Sequence, residues 1–407
     1  MFALWMSMRR HLHAAAIIGA PMRNRITPIV FVLALTSVFF VAMKGNRIVV
    51  TLFAVDLGAG PFQTGLLFAL HGIFPFLLAV SAGRIADRFD NRVLMFAGLA
   101  TWGAAMLLPF FWPGLAALYV SSAFAGFTSM LFVLATQNYI GALTTPATRT
   151  KYFSYYAIGE SFAQVTGPVM IGYAIDHWLH PRAFLLLTII TLLTIALLYA
   201  GRHLLPHTQK AKAVTNEPRN MSDLLKLPAM RAALITNAIV MIGWDLFNLY
   251  MPVYMRNLGF TATTIGYIMG TYGIAAIITR FAIPSITARW GVQRMIAVAL
   301  AIAACGFVFV PFTVVPALLM VLSFVIGLGV GCGQPLSMTL AYNASPPGRA
   351  GEGIAMRLAV SYGAHVFIPT AFGALGAAIG LAPIFWLCAS SLMGGSVMNA
   401  RQGTKLN

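Results

Sequence analysis

Two carboxylates stand where water should be scarce. Of the nine acidic residues in this 407-residue chain, Asp56, Asp87, Asp90, Asp176, Glu217, Asp223 and Glu352 lie in polar segments or at the ends of apolar runs, whereas Glu160 and Asp245 lie well inside such runs. So do His71, His365 and two cations one turn apart, Lys44 and Arg47, in the stretch VAMKGNRIVV (41–50). An ionised group at the centre of a bilayer costs about 2.5–3.5 kcal/mol on insertion scales, which makes each of these residues a candidate for ion pairing or proton binding. Enzymatic chemistry has no foothold: no nucleophile is set beside a base, and neither a ligand cluster nor a phosphate loop is present. Cys305, Cys332 and Cys388 fall in apolar runs without ligand spacing and read as small fillers, so neither a metal nor a cofactor is expected.

The elements that must position these charges are membrane helices. Apolar residues form 59% of the chain, charged residues 9%, and the mean hydropathy is +0.84. A hydrocarbon core about 30 Å thick needs about 20 apolar residues per helix. Twelve such segments begin near residues 27, 62, 92, 114, 152, 182, 231, 263, 293, 315, 353 and 379. The net charge of +17 invites a nucleic-acid reading, and the placement of the cations removes it. With a cytoplasmic N-terminus, all but four of the 26 Lys and Arg residues fall on the inside; Arg182 and Arg256 fall outside, and Lys44 and Arg47 remain within a span. Both termini are then cytoplasmic and the charge is topogenic. Residues 1–26 form a leader in which Met22 is an alternative start.

The polar stretch 202–230 divides the spans into 27–201 and 231–398, with 399–407 as a tail. Shifting the chain by 201 residues superposes Gly65 on Gly266, Gly72 on Gly273, Gly126 on Gly327, Pro168 on Pro369 and Gly172 on Gly373. A gapless register held mostly at Gly and Pro points to a duplicated backbone plan, with a site at the pseudo-symmetry axis near the midplane. The same shift places Lys44 on Asp245 and Arg47 on Asn248.

The loop after the second span reads GRIADRFDNR (83–92) and resembles the G-x-L-A-D-R-x-G-R-R loop of the major facilitator superfamily, at the position where that family carries it. PSITARWGVQR (284–294) is its echo in the second half. Gly159, Gly167, Pro168 and Gly172 resemble a degenerate G-x-x-x-G-P-x-x-G-G element of the family's twelve-helix drug/proton antiporters, with Ala163 in place of the middle glycine. GLGVGCGQP, from Gly327 to Pro335, is a pliant small-residue face; without a preceding strand it is no dinucleotide fingerprint. The resemblance implies an all-α fold of twelve transmembrane helices in two pseudo-symmetric six-helix bundles. It also implies a conformational latch at Gly83, Asp87, Arg88 and Arg92, and helix packing or bending at Gly159, Gly167, Pro168, Gly172, Gly327, Pro335 and Pro369. One departure stands out: where the antiporters carry an arginine four residues before the glycine matched by Gly126, this chain has Ser122.

For the cavity and coupling residues, Lys44, Arg47, His71, Glu160, Asp245 and Asn248, alternatives stay open at this level. Lys44 either pairs with Asp245 across the cavity or snorkels to the outer surface, about 26 Å along its helix. Arg47 reaches outer water or an outer-gate contact. Glu160 is a protonation site or a structural partner, and His71 and His365 are interhelical hydrogen-bonding residues or proton carriers. Phe39, Phe40, Phe132 and Tyr139 are expected to line the cavity, and Arg357 to lie near the inner surface beside Asp87 or Glu352. The function expected is a secondary active transporter of the inner membrane that exports a small amphiphile in exchange for protons. Its partners are that substrate, protons and lipid, with a single chain sufficing. An importer or facilitator of a small organic anion is the rival transporter reading, and a non-transporting sensor the rival of another class.

Overall fold

The computed structural model describes residues 22–144, 146–205, 221–346 and 349–405; of the side chains in 22–27, 79–88, 145–151, 221–222, 284, 350–351 and 403–405 nothing is said. Among the described residues there are helices and turns and no strand. The chain runs through α1 (Met22–Asp56), α2 (Pro61–Arg88), α3 (Asn91–Phe111) and α4 (Leu115–Leu143). The stretch Pro146–Ala200 is two helices, α5 over 146–178 and α6 over 180–200, joined at Leu179, whose φ of 67° and ψ of 163° break the helical path. After a 3₁₀ turn at Met221–Lys226 come α7 (Pro228–Asn257), α8 (Ala262–Trp290), α9 (Val292–Phe309), α10 (Pro316–Asn343), α11 (Ala350–Ile379) and α12 (Leu381–Lys405).

The apolar runs become helices because hydrocarbon offers the backbone no other hydrogen-bonding partner. Among the described residues, eleven helical stretches are long and apolar enough to cross a membrane, one of them holding both α5 and α6. Their starts carry the residues that suit a helix N-terminus: proline opens α2, α7 and α10, Asp90 accepts from the amide of Arg92 at 3.0 Å, and Thr261 accepts from that of Thr264 at 3.2 Å. Helical structure also runs past the apolar segments, since a helix need not stop where lipid does. Thus α1 begins at Met22 inside the expected leader, residues 1–21 lie outside the described residues, and α12 continues into the expected tail.

The 201-residue offset reappears as contacts. The α1–α2 and α7–α8 turns close identically: the amides of Ala59 and Phe260 reach the carbonyls of Ala54 and Met255, each at 2.9–3.1 Å, with Gly58 and Gly259 at φ of 83° and 82°. This is the Schellman cap, and its left-handed residue favours glycine. Gly65 lies against the Pro369 carbonyl and Gly266 against that of Pro168; Gly126 lies against the His71 backbone and Gly327 against Tyr272. The first two contacts join the halves, through α2–α11 and α5–α8. A methyl group on Gly266 would sit 2.5 Å from the Pro168 oxygen, and backbone cannot move aside as a side chain can. Gly266→Ala should therefore destabilise the protein by about 1–3 kcal/mol. Thermal unfolding in detergent measures this, and an unchanged midpoint would contradict the close packing.

The halves meet mainly through α2 with α11, α5 with α8, and α1 with α7. Within the first half, Phe39 packs against Trp102 and Phe132 at centroid distances of 5.3 and 4.5 Å. Phe39, Phe132 and Tyr139 are fully buried and belong to this core, so of the four aromatics expected at the cavity only Phe40 reaches it. The reason is helix rotation: α3 covers the face that carries these three rings.

Candidate functional site

One end of the bundle, that of the α1–α2 and α7–α8 turns, is closed by charge. Asp56 at the end of α1 accepts from Nε and Nη2 of Arg256 at the end of α7, at 2.7 and 2.6 Å, and His180 Nε2 stands 3.2 Å from the same carboxylate. Asp176, near the end of α5, accepts from the amides of Ala262 and Thr263 at 2.9 and 2.7 Å and so caps α8 of the opposite half. In the sequence both aspartates are simply residues at the ends of spans. The signal available was their position beside turns related by the offset.

Below this closure lies a cavity of about 250 Å³ between the halves. Lys44, Arg47, His71, Glu160, Trp244, Arg357 and His365 border it, and its wall continues to Gln137 and Leu358, both exposed, toward the opposite end. Trp244 forms its centre. Lys44 Nζ lies 5.5 Å and the Arg47 guanidinium 4.5 Å from the indole centroid, and the His365 ring lies 5.1 Å away.

Glu160 and Asp245 each find a partner inside their own half. Lys44 Nζ donates to Glu160 Oε1 at 3.0 Å, linking α1 to α5, and His365 Nδ1 stands 2.7 Å from Asp245 Oδ1, linking α11 to α7. The Lys44 to Asp245 pair is thus not formed. The two positions are related by the pseudo-symmetry and stand on opposite walls, while helices of their own half offer partners at bonding distance. Asp245 is fully buried and Lys44, 5% exposed, borders the cavity, so neither reaches the outer surface.

Arg47 is likewise not at an outer surface. Its guanidinium lies between Trp244 and Phe68, 4.7 Å from the latter, and it borders a side hollow of about 20 Å³ together with His71 and Ser122. Ser122 is the position at which the antiporters carry arginine, so the α1 arginine brings a cation to the same hollow. Asn248 accepts from Gln164 at 2.9 Å, a hydrogen bond between α7 and α5.

The side chain of Asp87 lies outside the described residues, and Arg357 does not lie near the surface with Glu352. It is buried and donates to Asn237 at 3.0 Å and Ser337 at 3.3 Å, in a knot that also holds Ser361, while Glu352 is taken by Arg349 at 2.9 Å. Asn237 supplies an acceptor deep in the bundle, and that draws the guanidinium inward. Arg280, missed in the sequence because it sits in a basic segment, donates from α8 to the Ala157 carbonyl on α5. The side chains of Gly83, Asp87 and Arg88 lie outside the described residues, and Arg92 opens α3. Gly159 packs on Ser37, Gly167 on Val41 and Lys44, and Gly172 on Ala262, while Pro335 and Pro369 lie within α10 and α11.

Residues 30–369 match the family model described as Major Facilitator Superfamily. The chain belongs to the Major Facilitator Superfamily. It is an integral membrane protein of a transporter family, and the motif resemblance at 83–92 pointed to the same place. Among curated members of the superfamily, it is 23% identical over 311 residues to "Multi-drug resistance efflux pump PmrA homolog" of Lactococcus lactis, covering 72% of this chain and 73% of that one. It is 21% identical over 252 residues to "Tetracycline resistance protein, class B" of Escherichia coli. That match covers 61% of this chain and 63% of the relative, so the chain spans just under two thirds of that protein's length. Solved superfamily structures agree in fold. The peptide transporter POT in complex with sulfate has a TM-score of 0.79 at 14% identity, covering 97% of this chain and 98% of that chain. The nucleoside transporter NupG has 0.74 at 14%, covering 92% and 99%.

Proposed function

We propose that this superfamily member is a secondary active transporter that exports a small amphiphilic molecule by alternating access, in exchange for protons. The observation that carries the reading is a cavity between two pseudo-symmetric halves, closed at one end by Asp56–Arg256 and Asp176, with one hydrogen-bonded carboxylate, Glu160, in its wall and another, Asp245, buried behind it. The named efflux relatives and the α5 element support the direction. With the positive-inside distribution of Lys and Arg, the open end is cytoplasmic, the termini lie on that side, and the state described faces inward in the inner membrane. One chain supplies both halves of the cavity and suffices for transport.

In this mechanism substrate enters from the open end and settles against Trp244, among Phe40, Met130 and Tyr156. His365 Nδ1 stands 2.7 Å from Asp245 Oδ1, a contact between α11 and α7 whose strength depends on the protons the two groups hold. The α7–α11 contact is thereby made sensitive to protonation, which couples proton movement to rearrangement of the second half. Latch residues Asp87, Arg88 and Arg92 close the cytoplasmic end in the opposite state, as the family resemblance implies.

Everted membrane vesicles carrying a proton gradient test the proposal. Addition of an amphiphile should release protons through the wild-type protein, and Asp245→Asn, of the same shape without the titrating group, should abolish the release. If no amphiphile in a panel of cationic, neutral and anionic compounds produced substrate-dependent proton movement above that of the Asp245→Asn protein, antiport would be overturned.

A further inference from the structure

The walls of the cavity and its side hollows hold more positive than negative charge. Among the described residues, Lys44, Arg47, Arg280 and Arg357 border these spaces, against Glu160 in the wall and Asp245 behind Trp244. Most of these groups are spoken for. Lys44 has Glu160, Asp245 has His365, Arg357 has Asn237 and Ser337, and Arg280 has the Ala157 carbonyl. Arg47 is different: its Nε and Nη1 are buried and have no hydrogen-bond partner. Buried guanidinium donors without acceptors are costly, and a transporter that keeps them does so where something else supplies the acceptor.

The surroundings specify what that would be. The faces of the guanidinium are taken up by Trp244 and Phe68, which leaves its edge donors for an approaching group. Nε–H and Nη1–H leave the guanidinium from different edges, so each offers a charge-assisted donor to an oxygen of an anion, whereas a neutral amide brings an acceptor without charge. Beyond Arg47 one part of the wall is apolar and aromatic, with Phe40, Met43, Met130, Val133 and Tyr156, beside the polar Glu160, Gln334 and Arg357. We infer that the transported molecule is an amphiphilic organic anion, whose carboxylate docks on Arg47 at the closed end of the cavity while its apolar body lies along Trp244 and Tyr156. The inference rests on the reading of this cavity as the substrate site. It names the substrate's charge, which that reading leaves open.

Asp245 faces Arg47 as the strongest anion acting on it and has one oxygen, Oδ2, without a partner, so a direct Arg47–Asp245 contact in another state is the competing account. Charge-matched ligand pairs separate the two. Equilibrium binding to the purified full-length protein is measured with 1-naphthoate against 1-naphthamide and with decanoate against decanamide. The carboxylates should bind about tenfold or more tightly than their amides, and Arg47→Gln should weaken the carboxylates by a similar factor while leaving the amides unchanged. Arg47→Lys should recover part of the loss. The comparison within the wild-type protein does not depend on any variant folding. Equal binding of acid and amide, no binding of either acid, or acid binding unaffected by Arg47→Gln would each overturn the inference.

The outcomes also separate it from the transport proposal. Arg47-dependent naphthoate binding with no proton movement in vesicles would leave the anion site standing and remove proton-coupled export. Proton-coupled movement of neutral or cationic amphiphiles, without preference for the acids, would do the reverse.

Discussion

Replacing Glu160 by alanine is expected to abolish transport and to lower the stability of the folded protein by about 3 kcal/mol. Breaking a buried pair by removing one partner typically costs about 3–5 kcal/mol because the other charge is left without compensation, and the lower end applies because the Glu160 side chain is 32% exposed. The stranded group would be Lys44, whose side chain is only 5% exposed and has Arg47 one turn away. The double variant Lys44→Met with Glu160→Met should regain most of the stability, since an apolar pair of similar size carries no desolvation penalty, and should still fail to transport. Thermal or denaturant unfolding in detergent, beside transport in reconstituted vesicles, reads both quantities. A Glu160→Ala protein as stable as wild type would show that the Lys44–Glu160 contact contributes nothing to the fold.

The second large effect belongs to the closed end. Removing Asp56 and Asp176 together, as alanine, should open the α1–α2 end without unfolding the protein. Asp56 is bonded to Arg256 in two places, with His180 beside the same carboxylate, and Asp176 holds the first amides of α8. Partly exposed contacts of these kinds contribute about 1 kcal/mol each, so their joint loss of about 2 kcal/mol would shift the balance between states by roughly thirtyfold. A cysteine placed at Thr64, which borders the hollow below the closure, in a protein whose three native cysteines are replaced, reports the change. Its labelling by a membrane-impermeant maleimide from that side should rise at least tenfold, in keeping with the population shift. Labelling unchanged from that of the otherwise intact protein would mean that helix packing at Gly65, Gly266 and Gly172, and not the charges, keeps this end shut.

Both expectations use residues visible in the sequence, but in different degrees. Glu160 and Asp245 were identifiable there because a carboxylate in an apolar run has a known energetic cost, whatever surrounds it. The partners were not. Lys44 was matched to Asp245 by an offset that relates equivalent positions, and equivalence under a two-fold operation places residues on opposite walls. His365 and Glu160 became the partners because α11 and α5 pack beside α7 and α1, which depends on how each helix is turned about its own axis. Arg357 shows the same limit in reverse: its place early in a span suggested the surface, and an acceptor on another helix, Asn237, holds it inside.

By itself the sequence determined that this is a duplicated helical membrane protein, and which positions repeat. Hydropathy sets the number of spans, charge asymmetry sets the orientation expected for them, and the Gly and Pro register survives as the paired contacts of Gly65 with Pro369 and Gly266 with Pro168, because close backbone approach tolerates no side chain. Only the tertiary structure decided that Asp56 and Asp176 close one end, that Arg47 turns into the cavity against Trp244 and not toward water, and that Ser122 shares its hollow with that arginine. Hydropathy and spacing are properties of one helix at a time, whereas the partner of a buried charge is chosen by the relative rotation of several helices.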